Sequence, residues 1–166
     1  MVETFLLKKP SYLSLKCNLK SLSLLSIKNT QFYKEAFNEL NYSFGNYFLF
    51  EGFVVAEINE DVVYSWEKHG KMVTGEIANL YDQNGEDLIY ITNRINNYSV
   101  NPLGWLQFFK NNYKLKAYGI VTYTKKGYSN TILEKIFMNI NIYRYSSLEE
   151  AIEWAKKTRT SVISAS

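Results

Sequence analysis

Cysteine and histidine are scarce in this sequence of 166 residues. The single cysteine, Cys17, excludes a disulfide within the chain and fits a reducing cytoplasm. The single histidine, His69, has no histidine, cysteine or carboxylate partner at the spacing typical of a zinc site, so we expect it to lie exposed on its helix. Cys17 also has no histidine placed to activate it as a nucleophile. The sequence therefore predicts no metal, no other cofactor and no catalytic nucleophile.

Long apolar runs and a strong net charge are also missing. No run approaches the roughly 20 apolar residues needed to span a bilayer. Basic residues precede several leucines near the N-terminus, but Lys16 and Lys20 interrupt that stretch and no cleavage site follows it. We therefore expect a cytoplasmic chain rather than a secreted one. The net charge of +3 is too small, and the lysines are too scattered, to predict nucleic-acid binding.

Aromatic residues, by contrast, are abundant. Tyrosine occurs 14 times and phenylalanine 10 times. With 46% hydrophobic and 21% charged residues, the composition is that of a globular domain that can bury a core without disulfides. An aromatic-rich surface could stack on ligand rings. The simpler interpretation is a compositional bias of the coding sequence.

Residues 1–41 differ from the rest of the chain, because they are rich in Leu, Ser and Lys. Within them, Phe32, Ala36, Phe37 and Leu40 recur at helical spacing and predict a helix over residues 30–40. Three interpretations compete: a lightly ordered arm, a strand or helix added to the domain, and an upstream extension from a misplaced start codon. We expect an arm or an extension, then one domain over residues 42–157 and a tail over residues 158–166.

Strands and helices alternate from residue 42 onward. Apolar runs predict strands at residues 44–50, 53–58, 88–92, 117–123 and 140–145. Helical spacing and capping signals predict helices at residues 65–81, 102–112, 129–139 and 147–156. The side chains expected inward on the last three helices are Leu103, Leu106 and Phe109, then Ile132, Leu133, Ile136 and Phe137, then Leu148, Ala151, Ile152 and Ala155. The order β-β-α-β-α-β-α-β-α predicts an α/β fold with an open, largely parallel sheet covered by helices.

Three stretches carry a resemblance to a known family. They read FEGFVVAEINE at residues 50–60, ITNRINNYSV at residues 91–100 and SLEEAIEWA at residues 147–155. Together with the element order, they resemble small STAS-like proteins of Bacteroidetes, described as STAS or Sec-fourteen-type (CRAL-TRIO) domain proteins. The resemblance covers roughly residues 42–157. It implies a STAS-like (SpoIIAA-like) fold, that of the anti-sigma-factor antagonists.

The family also implies a place to look for regulation. In its best-known antagonists, a partner kinase phosphorylates a serine in the loop after a central strand. The matching loop here, residues 93–101, contains Ser99 and the neighbouring Tyr98. Residues 97–102 read NYSVNP and depart from the family's Asp-Ser-Ser/Thr-Gly pattern. The resemblance therefore implies a serine at the matching place without the motif of the known switch.

The loop at residues 93–101 is the candidate site, because ligands of open α/β sheets bind beyond the carboxyl ends of the parallel strands. Arg94 could hold an anion or a carboxylate of a partner. Ser99 lies just before a helix N-terminus, where a phosphate would be stabilised. Asn97, Tyr98 and Asn101 complete this possible partner or modification site. The alternative is a polar turn that caps one helix, with Arg94 in solvent.

Two other groups have both a functional and a purely structural interpretation. Glu57, Glu60 and Asp61 could do acid–base work or bind a cation, but such groups more often shape a turn before a helix. Four aromatic side chains lie outside or beside the inward stripe of their helices: Trp105, Phe108, Tyr113 and Tyr128. They could form an apolar patch for a partner or a lipid, or they could belong to a wide-faced core.

These patterns predict a non-enzymatic protein-interaction or regulatory module that presents residues 93–101 and the following helix to a protein partner. The alternative is a small apolar-ligand or lipid-binding domain. The two differ in their interiors. A lipid binder needs a cavity on the order of several hundred Å³ or a large apolar groove, whereas an interaction module should be solid, with an exposed apolar patch near the loop. The sequence does not predict the oligomeric state.

Overall fold

The structure is a computed structural model that describes residues 25–124 and 134–160. Its eight strands are β1 (Asn38–Tyr42), β2 (Gly45–Phe50), β3 (Phe53–Ile58), β4 (Val63–Tyr64), β5 (Ile89–Arg94), β6 (Ser99–Val100), β7 (Ala117–Thr122) and β8 (Ile142–Tyr145). Its helices are α1 (Lys71–Tyr81), α2 (Leu103–Lys110) and α3 (Leu148–Thr160), with a further helical segment at residues 134–137. A π-helical turn, Trp66–Gly70, leads into α1, and two 3-10 turns, Ile27–Asn29 and Gln31–Glu35, precede β1.

Six strands form the main sheet in the order β1-β2-β3-β5-β7-β8. The β1–β2 and β2–β3 pairs are antiparallel, whereas β3–β5, β5–β7 and β7–β8 are parallel. The short strands β4 and β6 pair separately and in parallel. An α/β fold with a mostly parallel sheet is therefore confirmed. Among the described residues, no helix is both long and apolar enough to cross a membrane.

The helix predicted over residues 30–40 is wrong. This stretch contains a 3-10 turn followed by β1, whose residues pair with β2 from Asn38 to Tyr42. Its apolar side chains do not share one face, because Phe32 and Leu40 pack into different core clusters and Phe37 is 57% exposed. Pairing with an available sheet edge outweighs the helical spacing of four side chains. Residues 25–42 thus add a strand and part of the core to the sheet.

The sheet is covered on both sides. On one side, which we call the α3 face, α3 and residues 27–36 pack on Phe48, Val55, Ile91 and Val121. The four inward residues predicted for α3, from Leu148 to Ala155, are all buried there, which confirms that prediction. On the other side, which we call the cleft face, Val73 and Ile77 of α1 pack on Tyr47, Leu49 and Val54.

The predicted orientation of α2 is wrong. Leu103 and Leu106 were expected inward but are 55% and 49% exposed, while Phe108 is buried. The physical reason lies at Gly104, where a Cβ atom would be only 3.4 Å from the backbone nitrogen of Trp66. The smallest residue of α2 therefore faces the π-helical turn, and this contact rotates the leucines outward. Asn101 caps the helix as predicted, since its Oδ1 accepts a hydrogen bond from Leu103 N at 3.1 Å.

The helix predicted over residues 129–139 lies partly outside the described residues. Of its expected inward side chains, Ile132 and Leu133 fall there. Ile136 is 71% exposed, so its inward placement is wrong. Glu134 is buried instead, as is Met138 just beyond the helical segment at residues 134–137. Glu134 is buried in place of Ile136 because polar side chains of neighbouring elements form hydrogen bonds with its carboxylate.

Candidate functional site

A concave cleft lies on the cleft face, between α1 and α2 and over β5 and β7. Its cavity volume is about 100 Å³. The π-helical turn and α1 form one wall of the cleft. Along them, small residues follow one another at intervals of four, namely Gly70, Thr74 and Ala78. Because such a stripe lies on one side of a helix, it leaves room where larger side chains would fill the space.

Aromatic rings make up most of the remaining lining. They are Tyr64, Trp66, Tyr81, Tyr90, Tyr98, Trp105, Phe108, Tyr113 and Tyr118. Several touch one another edge to face, as Trp66 and Phe108 do at 6.2 Å and 88° between rings. Such contacts are a favoured geometry for aromatic pairs. The walls are therefore held in place by their own packing, and the cleft is preformed.

The floor of the cleft comes from β5 and β7. Tyr90 and Tyr118 are paired in register and stack with ring centroids 5.6 Å apart and planes 16° from parallel. Beside them, the Thr92 and Tyr98 hydroxyls share a hydrogen bond of 2.6 Å. Tyr90 and Thr92 point to the same side because side chains alternate along a strand. The floor therefore combines a stacked aromatic pair with hydroxyl groups.

A buried ion pair lies at one end of this floor. Arg94 of β5 contacts the Glu134 carboxylate, and both side chains are almost fully buried. Trp105 Nε1 and the Tyr118 hydroxyl each donate a second hydrogen bond to Glu134 Oε2 at 3.2 Å. These donors satisfy the carboxylate and explain why residues 134–137 bury Glu134 rather than Ile136. The Arg94–Glu134 pair is neutral overall, and Lys114, which also lines the cleft, is paired with Glu86 at 3.0 Å.

The surroundings of Arg94 keep it charged. Burial alone would lower the pKa of its guanidinium, but the neighbouring Tyr98 hydroxyl and the Glu134 carboxylate raise that pKa above its ordinary value. The guanidinium also lies 4.8 Å from the centre of the Tyr98 ring. Among the described residues, no acceptor contacts Arg94 Nε. Arg94 thus acts as an internal anchor for Glu134.

The hydroxyl groups in the cleft are kept protonated. Burial raises the pKa of Tyr90 and Tyr118 well above the ordinary value of tyrosine. The Tyr118 hydroxyl donates to Glu134, and the Tyr64 hydroxyl accepts from Tyr47 at 3.0 Å. In contrast, no residue in the described parts of the chain forms a hydrogen bond with the Tyr90 hydroxyl. Tyr90 therefore presents a neutral hydroxyl to the cleft.

The residues of the predicted loop site are divided between the interior and the surface. Arg94 and Tyr98 are buried, and Tyr98 lines the cleft. Asn97, Ser99 and Asn101 are exposed. Ser99 lies in β6 opposite Val63, and Asn101 caps α2. The structure thus brings Arg94 together with a carboxylate of the same chain and leaves three residues for outside contacts.

The predicted acidic group is also divided. Glu60 and Asp61 are exposed, whereas Glu57 is buried on the α3 face. The Glu57 carboxylate accepts hydrogen bonds from Ser26 Oγ at 2.7 Å, from the backbone nitrogen of Ile27 at 2.7 Å and from Asn93 Nδ2 at 2.8 Å. Burial raises the pKa of Glu57, and these donors oppose that rise. Residues 26–27 therefore occupy the carboxyl ends of β3 and β5.

His69 is half-buried, so its predicted exposure is wrong. Its Nδ1 accepts a hydrogen bond from the backbone nitrogen of Ser65 at 3.1 Å, and its ring packs against Phe44 and Tyr64. Trp105, Phe108 and Tyr113 line the cleft instead of forming an outward patch. Tyr128 and Cys17 lie outside the described residues. Within the described ranges, no three His, Cys, Asp or Glu side chains come together as metal ligands.

Sequence reasoning missed the residues that matter most in the cleft, namely Tyr90, Thr92, Tyr118 and Glu134. One signal could have indicated the first three. They are hydroxyl-bearing residues at alternating positions of otherwise apolar, buried strands. A comparison of this chain with protein-family models, with curated proteins and with solved structures finds no match. The geometry of the cleft therefore carries the functional argument.

Proposed function

We propose that this chain is a non-enzymatic binding module of the STAS type whose site is the cleft between α1 and α2, and whose ligand is a small, mainly apolar molecule. The observation that carries the proposal is the preformed aromatic cleft of about 100 Å³. Native interiors are close-packed, with few voids larger than a water molecule. A concave, mostly apolar space with a few polar groups is the usual form of a small-molecule site.

The size of the cleft argues for a small occupant. An engineered cavity of roughly 150 Å³ holds benzene, so a cleft of about 100 Å³ provides room for a molecule of about that size. A whole phospholipid requires far more space. The lipid-binding alternative from the sequence therefore becomes a binding site for a small organic molecule or for one end of a longer one.

The STAS part of the proposal draws support from the chain order. From β2 onward, a hairpin is followed by strands that alternate with helices, and β3, β5, β7 and β8 lie side by side in that order. This is the element order on which the sequence resemblance rests. The proposal retains the cytoplasmic location expected from the single cysteine.

The non-enzymatic part follows from how the ionisable groups of the cleft are used. A general acid or base must reach the proton that it transfers. Glu134 already accepts hydrogen bonds from Arg94, Trp105 and Tyr118. The buried tyrosines, with their raised pKa values, remain neutral near pH 7. These groups are suited to holding a ligand and are poorly placed to exchange protons with it.

Native mass spectrometry of the protein purified from its native host tests the binding function. We expect a small organic molecule to accompany the wild type and to be lost from Ala78→Leu, because a leucine at this position fills the cleft. Asn79→Leu is the matched control, since Asn79 is the exposed next residue of the same helix. The proposal is wrong if no molecule accompanies the wild type and no small aromatic compound stabilises it.

A second candidate function is the protein-interaction module expected from the sequence. One observation favours it: Val63, Leu103 and Leu106 are 65%, 55% and 49% exposed on elements that adjoin Ser99 and Asn101. Exposed apolar side chains of this kind suit a partner surface. We expect Leu106→Asp to abolish capture of a partner from the native host. Leu80→Asp, on the exposed side of α1, should leave capture intact.

A further inference from the structure

We propose that the ligand of the cleft is a neutral molecule with one planar ring, whose oxygen or nitrogen atom accepts a hydrogen bond from the Tyr90 hydroxyl. This inference rests on the proposed binding function of the cleft and specifies its ligand. Three properties of the site carry it: the Tyr90 hydroxyl, which has no hydrogen-bond partner within residues 25–124 and 134–160, the charge balance of the floor, and the arrangement of the aromatic rings.

The first property selects for a hydrogen-bond acceptor. Among the described residues, Tyr90 is a cleft-lining residue whose hydroxyl lacks a hydrogen bond, whereas the Tyr98 and Tyr118 hydroxyls are engaged with Thr92 and Glu134. Water in the unliganded cleft can satisfy this hydroxyl. A purely apolar ligand would displace that water and leave the hydroxyl unpaired, which weakens binding. A ligand with an acceptor replaces the lost hydrogen bond.

The second property selects for a neutral ligand. Glu134 lines the cleft, so an anion would meet a carboxylate. Its charge is balanced by the buried Arg94, so a cation would find this carboxylate already neutralised. Either ion would lose its hydration without gaining an unused opposite charge, and burying such an ion is costly. A neutral molecule avoids both penalties.

The third property selects for a ring. The Tyr90 and Tyr118 rings stack on each other, and Trp105 meets Tyr118 edge to face at 5.3 Å. A planar ring can lay its face against the free edges of this stacked pair, which is the edge-to-face geometry that aromatic rings favour. An engineered cavity of roughly 150 Å³ in another protein binds benzene. The cleft, with about 100 Å³ and an open mouth, provides room for one ring but not for a fused system of several.

A panel of compounds of equal size tests the inference, with binding followed by amide chemical shifts of the full-length protein. The compounds are phenol, toluene, cyclohexanol, benzoate and benzylammonium. We expect phenol to bind about fivefold to tenfold more tightly than toluene, as one added hydrogen bond allows. Cyclohexanol should bind more weakly than phenol because it is not planar. The two ions should show the weakest binding.

The variant Tyr90→Phe removes the hydroxyl but keeps the stacked ring. This variant should bind phenol only as tightly as it binds toluene. Toluene should still bind, which would show that the cleft is intact. Tyr143→Phe is the matched control, because Tyr143 is 41% exposed on β8 and should leave phenol binding unchanged.

The possible outcomes separate the two proposals. If none of the five compounds binds the wild type, the binding function of the cleft and the present inference both fail. If toluene, benzoate or benzylammonium binds at least as tightly as phenol, the binding function stands and the inference about the ligand is wrong. If phenol binds Tyr90→Phe as tightly as the wild type, the assignment of Tyr90 is wrong. The affinities of the wild type for the five compounds test whether the ligand is neutral, so this part of the inference is tested even if the variant does not fold.

Discussion

The two faces of the main sheet use the same strands in different ways. On the α3 face, α3 and residues 27–36 fill the space above the sheet, and the buried Glu57 is bonded by donors from residues 26–27 and from Asn93. On the cleft face, α1 and α2 leave a space of about 100 Å³ between them. Both faces bury a carboxylate: Glu57 is bonded within the α3 face, whereas Glu134 lines the cleft.

This difference shows where a binding site can arise in such a fold. The carboxyl ends of parallel strands are the usual place for ligands in α/β sheets. Here the chain itself fills that place on the α3 face, where Ile27 is fully buried. The cleft lies over the middle of β5 and β7 on the opposite face. The position of the site in this protein is therefore determined by the spacing of α1 and α2 and not by the carboxyl ends of the strands.

The largest expected effect concerns the ion pair at the floor of the cleft. Arg94→Met should lower the free energy of unfolding by about 3–5 kcal/mol, because it leaves the Glu134 charge buried without its partner. The double variant Arg94→Met/Glu134→Leu should be more stable than the single variant, since it removes both charges. Urea denaturation measures both. A single variant as stable as the wild type would mean that water reaches the Glu134 carboxylate at this end of the floor. The contrast between the two faces of the sheet would then not hold for their buried carboxylates.

A pair of identical substitutions on the two faces provides the most direct test of the comparison. Ala151→Leu on the α3 face should lower the free energy of unfolding by about 1–3 kcal/mol, because no space exists for the larger side chain. Ala151 is fully buried in that core. Ala78→Leu, which places the same side chain into the cleft, should be neutral or stabilising. Thermal unfolding of the two variants decides the matter, and equal losses would show that the cleft is not a true vacancy.

The sequence predicted the sheet better than it predicted the site, for a physical reason. Strands such as β5 and β7 are buried on both sides, so their apolar composition and the turns around them indicate them directly. The inward face of α3 follows from its spacing alone. The rotation of α2 does not, because it depends on the contact of Gly104 with Trp66, which lies far away in the sequence.

Contacts between distant parts of the sequence also determine the site. Arg94 and Tyr98 were singled out from the loop, and the structure places both beside the cleft. The partner of Arg94, Glu134, lies 40 residues beyond it. Pairing over that separation is decided by the packing of several elements together. The position of β1 was missed for a similar reason, since an edge strand forms only where another strand is available to it.

A smaller effect is expected for the buried carboxylate of the α3 face. Because burial raises its pKa above the ordinary value of about 4.5, Glu57 stabilises the fold most at low pH, and this contribution is lost as the pH rises through the folded-state pKa. Glu57→Gln should be less stable than the wild type by about 1 kcal/mol, since one of its hydrogen bonds is weakened. The difference between the two proteins should shrink between pH 4.5 and pH 7.5. Denaturant titrations at several pH values measure it, and a difference that grows with pH would show that the donors from residues 26–27 outweigh burial.

The smallest expected effect concerns His69 in the π-helical turn that leads into the cleft wall. Burial lowers its pKa below the ordinary value of 6.5, and the neighbouring Lys68 acts in the same direction. The neutral ring accepts the Ser65 hydrogen bond through Nδ1, and protonation removes that acceptor. The stability contributed by His69 is thus present above pH 6.5 and is lost as the pH falls through its lowered pKa. Since the chain contains one histidine, a proton NMR titration of its ring gives that pKa without ambiguity. A pKa at or above 6.5 would mean that the π-helical turn opens to solvent. The wall of the cleft would then be more mobile than the elements packed on the α3 face.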